Sequence, residues 1–189
     1  MAGRSVVYAP RGVVSTSQPL ASSAGLAVLQ NGGNAVDAAI TAAAVLSVVE
    51  PMMTGIGGDL FAMVWIAKEH RLVALNASGR AGALMTRDAL LKRGHTQMPS
   101  RGIETITVPG ALAGWSELLA TYGTITLAQA IAPAIRYAEE GFPVTPIIAR
   151  DWAQQVPSLA KDPGARATFL IDGHVPAAGE WFRDRKSVV

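Results

Sequence analysis

Residues 54–80 decide the fold: they begin Thr54-Gly55-Ile56-Gly57-Gly58-Asp59 and end Asn76-Ala77-Ser78-Gly79-Arg80. Three glycines within four positions permit a tight turn and a close approach of the backbone to its neighbours. The apolar segments 60–66 and 72–75 flank a charged tip at 68–71, which predicts a β-hairpin. Neither segment alternates cleanly between apolar and polar residues, so we expect both faces of the hairpin to be buried.

Arg80 is the candidate binding residue of this stretch. An arginine that follows Ser78-Gly79 at the exit of a buried strand is well placed to bind a ligand carboxylate through its planar guanidinium group. The residues alone leave a second interpretation open, in which Arg80 is a solvated loop arginine.

Composition narrows the class of protein. The 189 residues are enough for one sizeable core, at roughly 100–200 residues per domain. Half of them are hydrophobic and only 16% are charged, which indicates a globular rather than a disordered chain. The net charge is +2 and no basic stripe is present, so nucleic acid is not expected as a partner. The absence of cysteine excludes disulfides, thiolate catalysis and cysteine-ligated zinc within this sequence.

The sequence gives no indication of a membrane segment. Its longest apolar run, residues 35–49, contains Asp37 and Thr41 and is shorter than the ~20 residues that span a bilayer. The first ten residues do not have the pattern of a secretory signal. We therefore expect no membrane partner and a cytoplasmic location, or a periplasmic or secreted one if the true N-terminus lies upstream.

The order of predicted elements indicates a mixture of helices and strands. We expect a short strand at 13–17 and a helix that begins at Ser22 or Ser23. Asn34 should cap a second, nearly buried helix, with Asp37 in its first turn, where the helix dipole favours negative charge. The further predictions are a short helix capped by Thr86, a strand at 105–108, helices at 111–122 and 126–140, a helix from Pro146 that ends before Pro157, and a strand at 168–171.

The sequence does not indicate a nucleotide-binding motif or a metal site. The glycine turn lacks the Gly-Lys-Ser/Thr of a phosphate-binding loop, and it follows a helix and enters a strand, the reverse of a dinucleotide-binding motif. The histidines His70, His95 and His174 fall in separate turns, so a metal site is not indicated. We predict no cofactor and assign no catalytic residue within this sequence.

A set of short motifs nevertheless resembles a known family, the γ-glutamyltransferases (γ-glutamyltranspeptidases, glutathione hydrolases). The resemblance runs from about residue 12 to 183 and is most specific where an Asn-Gly-Gly-Asn-Ala-Val-Asp-Ala-Ala block precedes a Gly-x-Gly-Gly turn. The residues that carry it are Pro19-Leu20-Ala21-Ser22, Gly25, Leu29, residues 31–39, residues 54–59, Arg80, Val108-Pro109-Gly110 and residues 138–143.

The resemblance implies an α+β fold, the four-layer α-β-β-α sandwich of N-terminal nucleophile (Ntn) hydrolases, here incomplete. It implies a proenzyme that cuts itself into a large and a small subunit, with the new N-terminal threonine of the small subunit as nucleophile. Residues 1–183 would be the N-terminal part of the large subunit, inactive without its partner subunit. Donors would be γ-glutamyl amides such as glutathione, whose α-carboxylate Arg80 would bind.

Two departures from the family pattern keep alternatives open. Arg80 is followed by Ala81-Gly82 instead of the usual glutamate, as in the looser branch of cephalosporin acylase-like and oxamate amidohydrolase-like members. An acylase or amidohydrolase of another small acyl amide is therefore an alternative, as is a non-catalytic carboxylate-binding module. Residues 184–189 also differ from the family's usual continuation and match the translation of a common sequencing-adapter sequence, so we expect a non-native tail there.

Overall fold

The computed structural model describes residues 6–184, which contain a layer of helices packed against one face of a β-hairpin. The helices and strands, in chain order, are α1 Pro19–Gln30, α2 Ala35–Val49, β1 Leu60–Ile66, β2 Arg71–Ala77, α3 Arg87–Lys92, α4 Ala111–Tyr122, α5 Leu127–Glu140, β3 Phe142–Pro143, α6 Pro146–Ala153, α7 Val156–Leu159, α8 Pro163–Phe169 and β4 Trp181–Phe182. None of the helices within residues 6–184 is both long enough and apolar enough to cross a membrane.

The first two helices pack against each other. Helix α1 begins at Pro19, and the Gln18 side chain accepts a hydrogen bond from the Leu20 N–H at 2.5 Å. The prediction that Ser22 or Ser23 caps this helix is therefore wrong, because proline is well tolerated in the first helical position and lets the helix begin earlier. Gly32, at a φ of 91°, then turns the chain toward Asn34.

Helix α2 lies at the centre of the core and packs against α1 and α5. Asn34 and Asp37 form a capping box at its start, as predicted. Alanines and valines cover most of its surface, which lets the neighbouring helices approach closely. The core residues that it contributes are Val36, Ile40, Ala42, Ala44, Val45, Val48 and Val49.

The predicted hairpin is present, with β1 and β2 antiparallel and Leu60 opposite Ala77. The inner face, which includes Leu60 and Val64, packs against the helices. The outer face is open: Phe61 is 65% exposed and Met63 is 72% exposed. The prediction that both faces are buried is thus wrong for the described residues, because the helices here cover one face only.

Three predicted strands do not form as expected. Residues 13–16 and 106–108 belong to no strand, and residues 103–105 form a short 3-10 helix instead. Residues 168–169 belong to α8, and only an isolated bridge joins Ile171 to His174 around the predicted turn. Each segment has β-forming residues, but no neighbouring strand among residues 6–184 pairs with it, and pairing is what makes a strand.

The remaining helices agree with their local signals. Helices α3, α4, α5 and α6 occupy the predicted positions, and Thr126 and Gln129 form the expected capping box of α5. The indole N–H of Trp181 and the Nε–H of Arg183 both donate to the Glu140 carbonyl at the end of α5, each at 2.9 Å. Asp184 follows with a buried side chain. Residues 185–189 lie outside the described range, so the predicted non-native tail stays a prediction.

Candidate functional site

Arg80 lies three residues after the end of β2, on an exposed part of the chain. Within residues 6–184 its guanidinium group forms no ion pair and no hydrogen bond. Because no protein carboxylate within residues 6–184 binds this guanidinium group, its five N–H donors can bind a ligand or solvent. The structure therefore places this predicted residue where a ligand can reach it.

The backbone around Arg80 is held on both sides. The Val108 N–H donates to the Arg80 carbonyl at 2.8 Å, and the Thr107 hydroxyl donates to the Ser78 carbonyl at 3.2 Å. Gly79 has a φ of 78°, and a Cβ added there would lie 1.9 Å from the Val108 carbonyl oxygen. Only glycine fits this crossing, so the position of Arg80 depends on the residue before it.

The glycine turn meets the same segment. The Gly58 carbonyl accepts hydrogen bonds from the N–H groups of Gly110 and Ala111, at 3.0 and 3.1 Å. These are N–H groups at the start of α4, where helices leave donors unpaired. A protein carbonyl therefore occupies two of the donors at this helix start. The turn joins the hairpin to the start of α4.

Residues 108–111 thus bind the entrance of β1 and the exit of β2 at one junction. Sequence reasoning identified Val108-Pro109-Gly110 as a motif and Arg80 as a candidate, but it could not show that they are in contact. Asp59, which directly follows Gly58, lies at this junction as well; the sequence analysis included it in the motif at residues 54–59 without giving it a role.

An apolar groove of about 380 Å³ lies beside the turn. Residues 54–57 form part of its wall, together with side chains of α2, α4 and α5 such as Val48, Trp115 and Ala134. Arg80 is not among the lining residues. The exposed Arg80 side chain therefore does not belong to this groove.

The three histidines do not come together. His70 is in the hairpin turn, His95 contacts Glu104 at 3.2 Å, and His174 lies in the turn after α8. No group of three or more metal-binding side chains is found within residues 6–184. Among the serines, Ser17 donates a short hydrogen bond to the buried carboxylate of Glu50 at the end of α2.

Asp37 is a buried carboxylate that joins the start of α2 to the loop between α4 and α5. Its oxygens accept from the Thr124 hydroxyl at 2.6 Å and from the N–H groups of Thr124 at 2.8 Å and Asn34 at 2.8 Å. Burial raises the pKa of Asp37, but these hydrogen bonds outweigh burial and hold the pKa below its usual value of 3.8. Asp37 is therefore an ionised structural residue at neutral pH.

Comparison with known proteins identifies the family. The family model described as gamma-glutamyltranspeptidase matches residues 21–187. The chain belongs to the gamma-glutamyltranspeptidase family. The resemblance read from the motifs is confirmed.

Three relatives show the range of the family around this chain. It is 40% identical over 180 residues to the glutathione hydrolase-like YwrD proenzyme of Bacillus subtilis (strain 168). The matched region is 95% of this chain and 34% of that protein. It is 42% identical over 171 residues to the acylase ACY 1 proenzyme of Pseudomonas sp. (strain SE83). Here the matched region is 86% of this chain and 31% of that protein. The crystal structure of cephalosporin acylase from Bacillus halodurans superposes with a TM-score of 0.91 at 46% identity, covering 97% of this chain and 35% of that one.

This chain therefore spans about a third of the length of these relatives. The structural similarity confirms the expected fold class: the described residues are an α+β part of an Ntn hydrolase, with the four-layer sandwich incomplete. The open outer face of the hairpin is consistent with that incompleteness.

Proposed function

We propose that this chain is the N-terminal part of a proenzyme that cleaves γ-glutamyl amides such as glutathione and transfers the acyl group to water or to an amino acid. Arg80 binds the α-carboxylate of the donor in this proposal. The chain alone is inactive, because the nucleophile lies in a part of the protein outside these 189 residues. Its partners are the small amide substrate and the small subunit cut from the same precursor.

The observation that carries the proposal is the state of Arg80. The side chain is exposed and bound to no acid within residues 6–184, while its backbone is fixed by Val108 and by the close packing of Gly79. A guanidinium group on a fixed backbone can hold a carboxylate through two parallel hydrogen bonds. A solvated loop arginine would not need a backbone locked in this way.

The chemistry divides between the two subunits. The hydroxyl of the N-terminal threonine adds to the carbonyl carbon of the donor amide, and its own α-amine takes the hydroxyl proton. The amide C–N bond then breaks, and the leaving amine receives that proton. Water or an acceptor amine next attacks the acyl-enzyme ester and frees the threonine. In this scheme Arg80 fixes the far end of the acyl group, so that the carbonyl carbon is presented to the nucleophile.

A second candidate function is that of an acylase for another small acyl amide. It is favoured by Ala81-Gly82, which follow Arg80 where the usual γ-glutamyl enzymes have a glutamate, and by the similarity to the acylases of Pseudomonas and Bacillus halodurans. The two candidates share the carboxylate-binding role of Arg80 and differ in the rest of the acyl group.

The test is to express the full-length protein and follow two readouts. A denaturing gel should show self-cleavage into two subunits, and the processed protein should release p-nitroaniline from γ-glutamyl-p-nitroanilide. Release from glutaryl-p-nitroanilide alone would favour the acylase. A precursor that neither cuts itself nor cleaves either amide would contradict the proposal.

A further inference from the structure

The apolar groove beside the glycine turn is built from three helices. Its volume is about 380 Å³, and apolar side chains of α2, α4 and α5 line it together with residues 54–57. On α5 the lining residues are Ile131, Ala134, Ile135 and Ala138, which recur at the spacing of one helical face. Small side chains such as Ala134 leave room for another backbone to approach α5 closely.

Much of the apolar surface of this groove is accessible in the chain. Ile56 is 53% exposed, Leu112 is 43% exposed and Ile135 is 37% exposed. These residues come from the turn, from α4 and from α5, so the accessible surface extends over three elements. Among the described residues that line the groove, Asp184 alone is charged. A continuous apolar groove, unlike a single exposed apolar residue, marks an interaction surface.

The chain itself enters the groove at Asp184. Trp181 and Arg183 donate to the Glu140 carbonyl at the end of α5, and Phe182 between them is buried in the core. Asp184 follows with a side chain that is only 3% exposed, and it forms part of the groove wall. The polypeptide therefore passes from the C-terminal end of α5 into the groove.

The relatives and the shape of the groove indicate what binds there. The chain spans about a third of the length of its relatives, so in the proposed precursor further sequence follows position 184. A strand in this groove would leave its backbone N–H and C=O groups against apolar side chains without partners. A helix pairs these groups internally. The stripe from Ile131 to Ala138 is about 10 Å long at 1.5 Å per residue, which about two helical turns would cover.

We propose that the groove binds a short amphipathic helix of the same precursor, which follows residue 184 and runs antiparallel to α5. The direction follows from the entry of the chain at the C-terminal end of α5. This helix packs against residues 54–57 and so supports the turn that joins the hairpin to α4. The inference rests on the proposed function only in requiring a longer precursor, and it involves no catalytic step.

Photo-crosslinking in the full-length protein tests the proposal. Ile135 and Leu112 are replaced by p-benzoylphenylalanine, one at a time, and mass spectrometry identifies the crosslinked peptides. Both probes should crosslink to the roughly 20 residues after position 184 that a short connection and a helix require. A probe at Ala132, which is exposed on α5 and does not line the groove, is the control and should not reach that segment. Crosslinks to the small subunit, to a second copy of the protein or to no peptide would overturn the proposal.

A pair of substitutions gives an independent readout. Ile135→Asp in the full-length protein should lower the thermal midpoint by at least about 5 °C relative to Ala132→Asp, because only position 135 would bury the carboxylate against the added helix. Equal midpoints would contradict the proposal. Neither measurement uses catalytic activity. A protein that cleaves no donor but gives the expected crosslinks would therefore overturn the proposed function and leave the groove assignment standing.

Discussion

The backbone N–H of Val108 donates to the carbonyl oxygen of Arg80 at 2.8 Å. This hydrogen bond joins a loop residue after the hairpin to a loop residue before α4, 28 positions apart in the sequence. This hydrogen bond fixes the backbone position of Arg80. It requires glycine at position 79, because a Cβ there would clash with the Val108 carbonyl oxygen.

We predict that Gly79→Ala damages the site while Gly82→Ala does not. Gly79 has a φ of 78° and no room for a Cβ, whereas a Cβ at Gly82 meets nothing within 4 Å in the structure. A side chain at Gly79 should cost about 1–3 kcal/mol in the free energy of unfolding and raise KM for the donor. Thermal unfolding and steady-state kinetics of the two full-length variants provide the measurement. Equal behaviour of the two alanine variants would show that the crossing at Val108 does not position Arg80.

The buried Asp37 gives a prediction about pH. Its pKa is lowered in the folded protein, so its stabilising contribution is present above the unfolded value of 3.8 and is lost as the pH falls through the folded pKa. Asp37→Asn should therefore lower the free energy of unfolding by about 2 kcal/mol at neutral pH, and the difference from wild type should shrink below pH 3.8.

Denaturant unfolding from pH 7 to pH 3 measures this difference, with Asp172→Asn as the exposed control. A difference that stays constant, or that grows toward low pH, would show that the hydrogen bonds from Thr124 and Asn34 do not favour the ionised carboxylate.

The open face of the hairpin predicts that residues 1–189 associate when produced alone. Phe61, Met63 and Trp65 are all more than half exposed on that face. Met63→Lys should reduce the association of the isolated chain but destabilise the full-length protein, where we expect the face to be covered and a buried unpaired charge is costly. Leu84→Lys, at a residue that is 86% exposed and belongs to neither strand of the hairpin, is the control. Light scattering that finds a monomer with a cooperative unfolding transition would contradict this prediction.

A related prediction concerns activity. The purified 189-residue chain should release no p-nitroaniline from γ-glutamyl-p-nitroanilide, because we place the nucleophile outside it. Steady release that is lost when a residue of this chain is mutated would show that the chain carries its own catalytic group.

The sequence predictions were correct where the interacting residues are close in sequence and wrong where they are far apart. Asn34 with Asp37, and Thr126 with Gln129, form capping boxes from residues three positions apart, and both were predicted correctly. A strand needs a partner, which is often distant in sequence, so residues 13–17 and 105–108 were assigned wrongly although their composition favours strands.

For the candidate site, too, the sequence indicated a single residue but not its contacts with distant segments. Arg80 became a candidate because it follows a predicted strand and because of the family resemblance. Its contact with Val108, and the link from Gly58 to Gly110, join segments that no local pattern connects.

The central claim is that Arg80 binds the donor carboxylate, and its most direct test is Arg80→Ala in the full-length enzyme. The measurement is kcat/KM for two p-nitroanilides, one with the α-carboxylate and one without it. Loss of a charge-assisted pair should lower kcat/KM about 10- to 100-fold for the first donor only, and Arg80→Lys should recover part of the loss. Self-cleavage on a gel should continue in both variants. An equal loss on both donors, or none on either, would contradict the claim and leave Arg80 as a structural loop arginine.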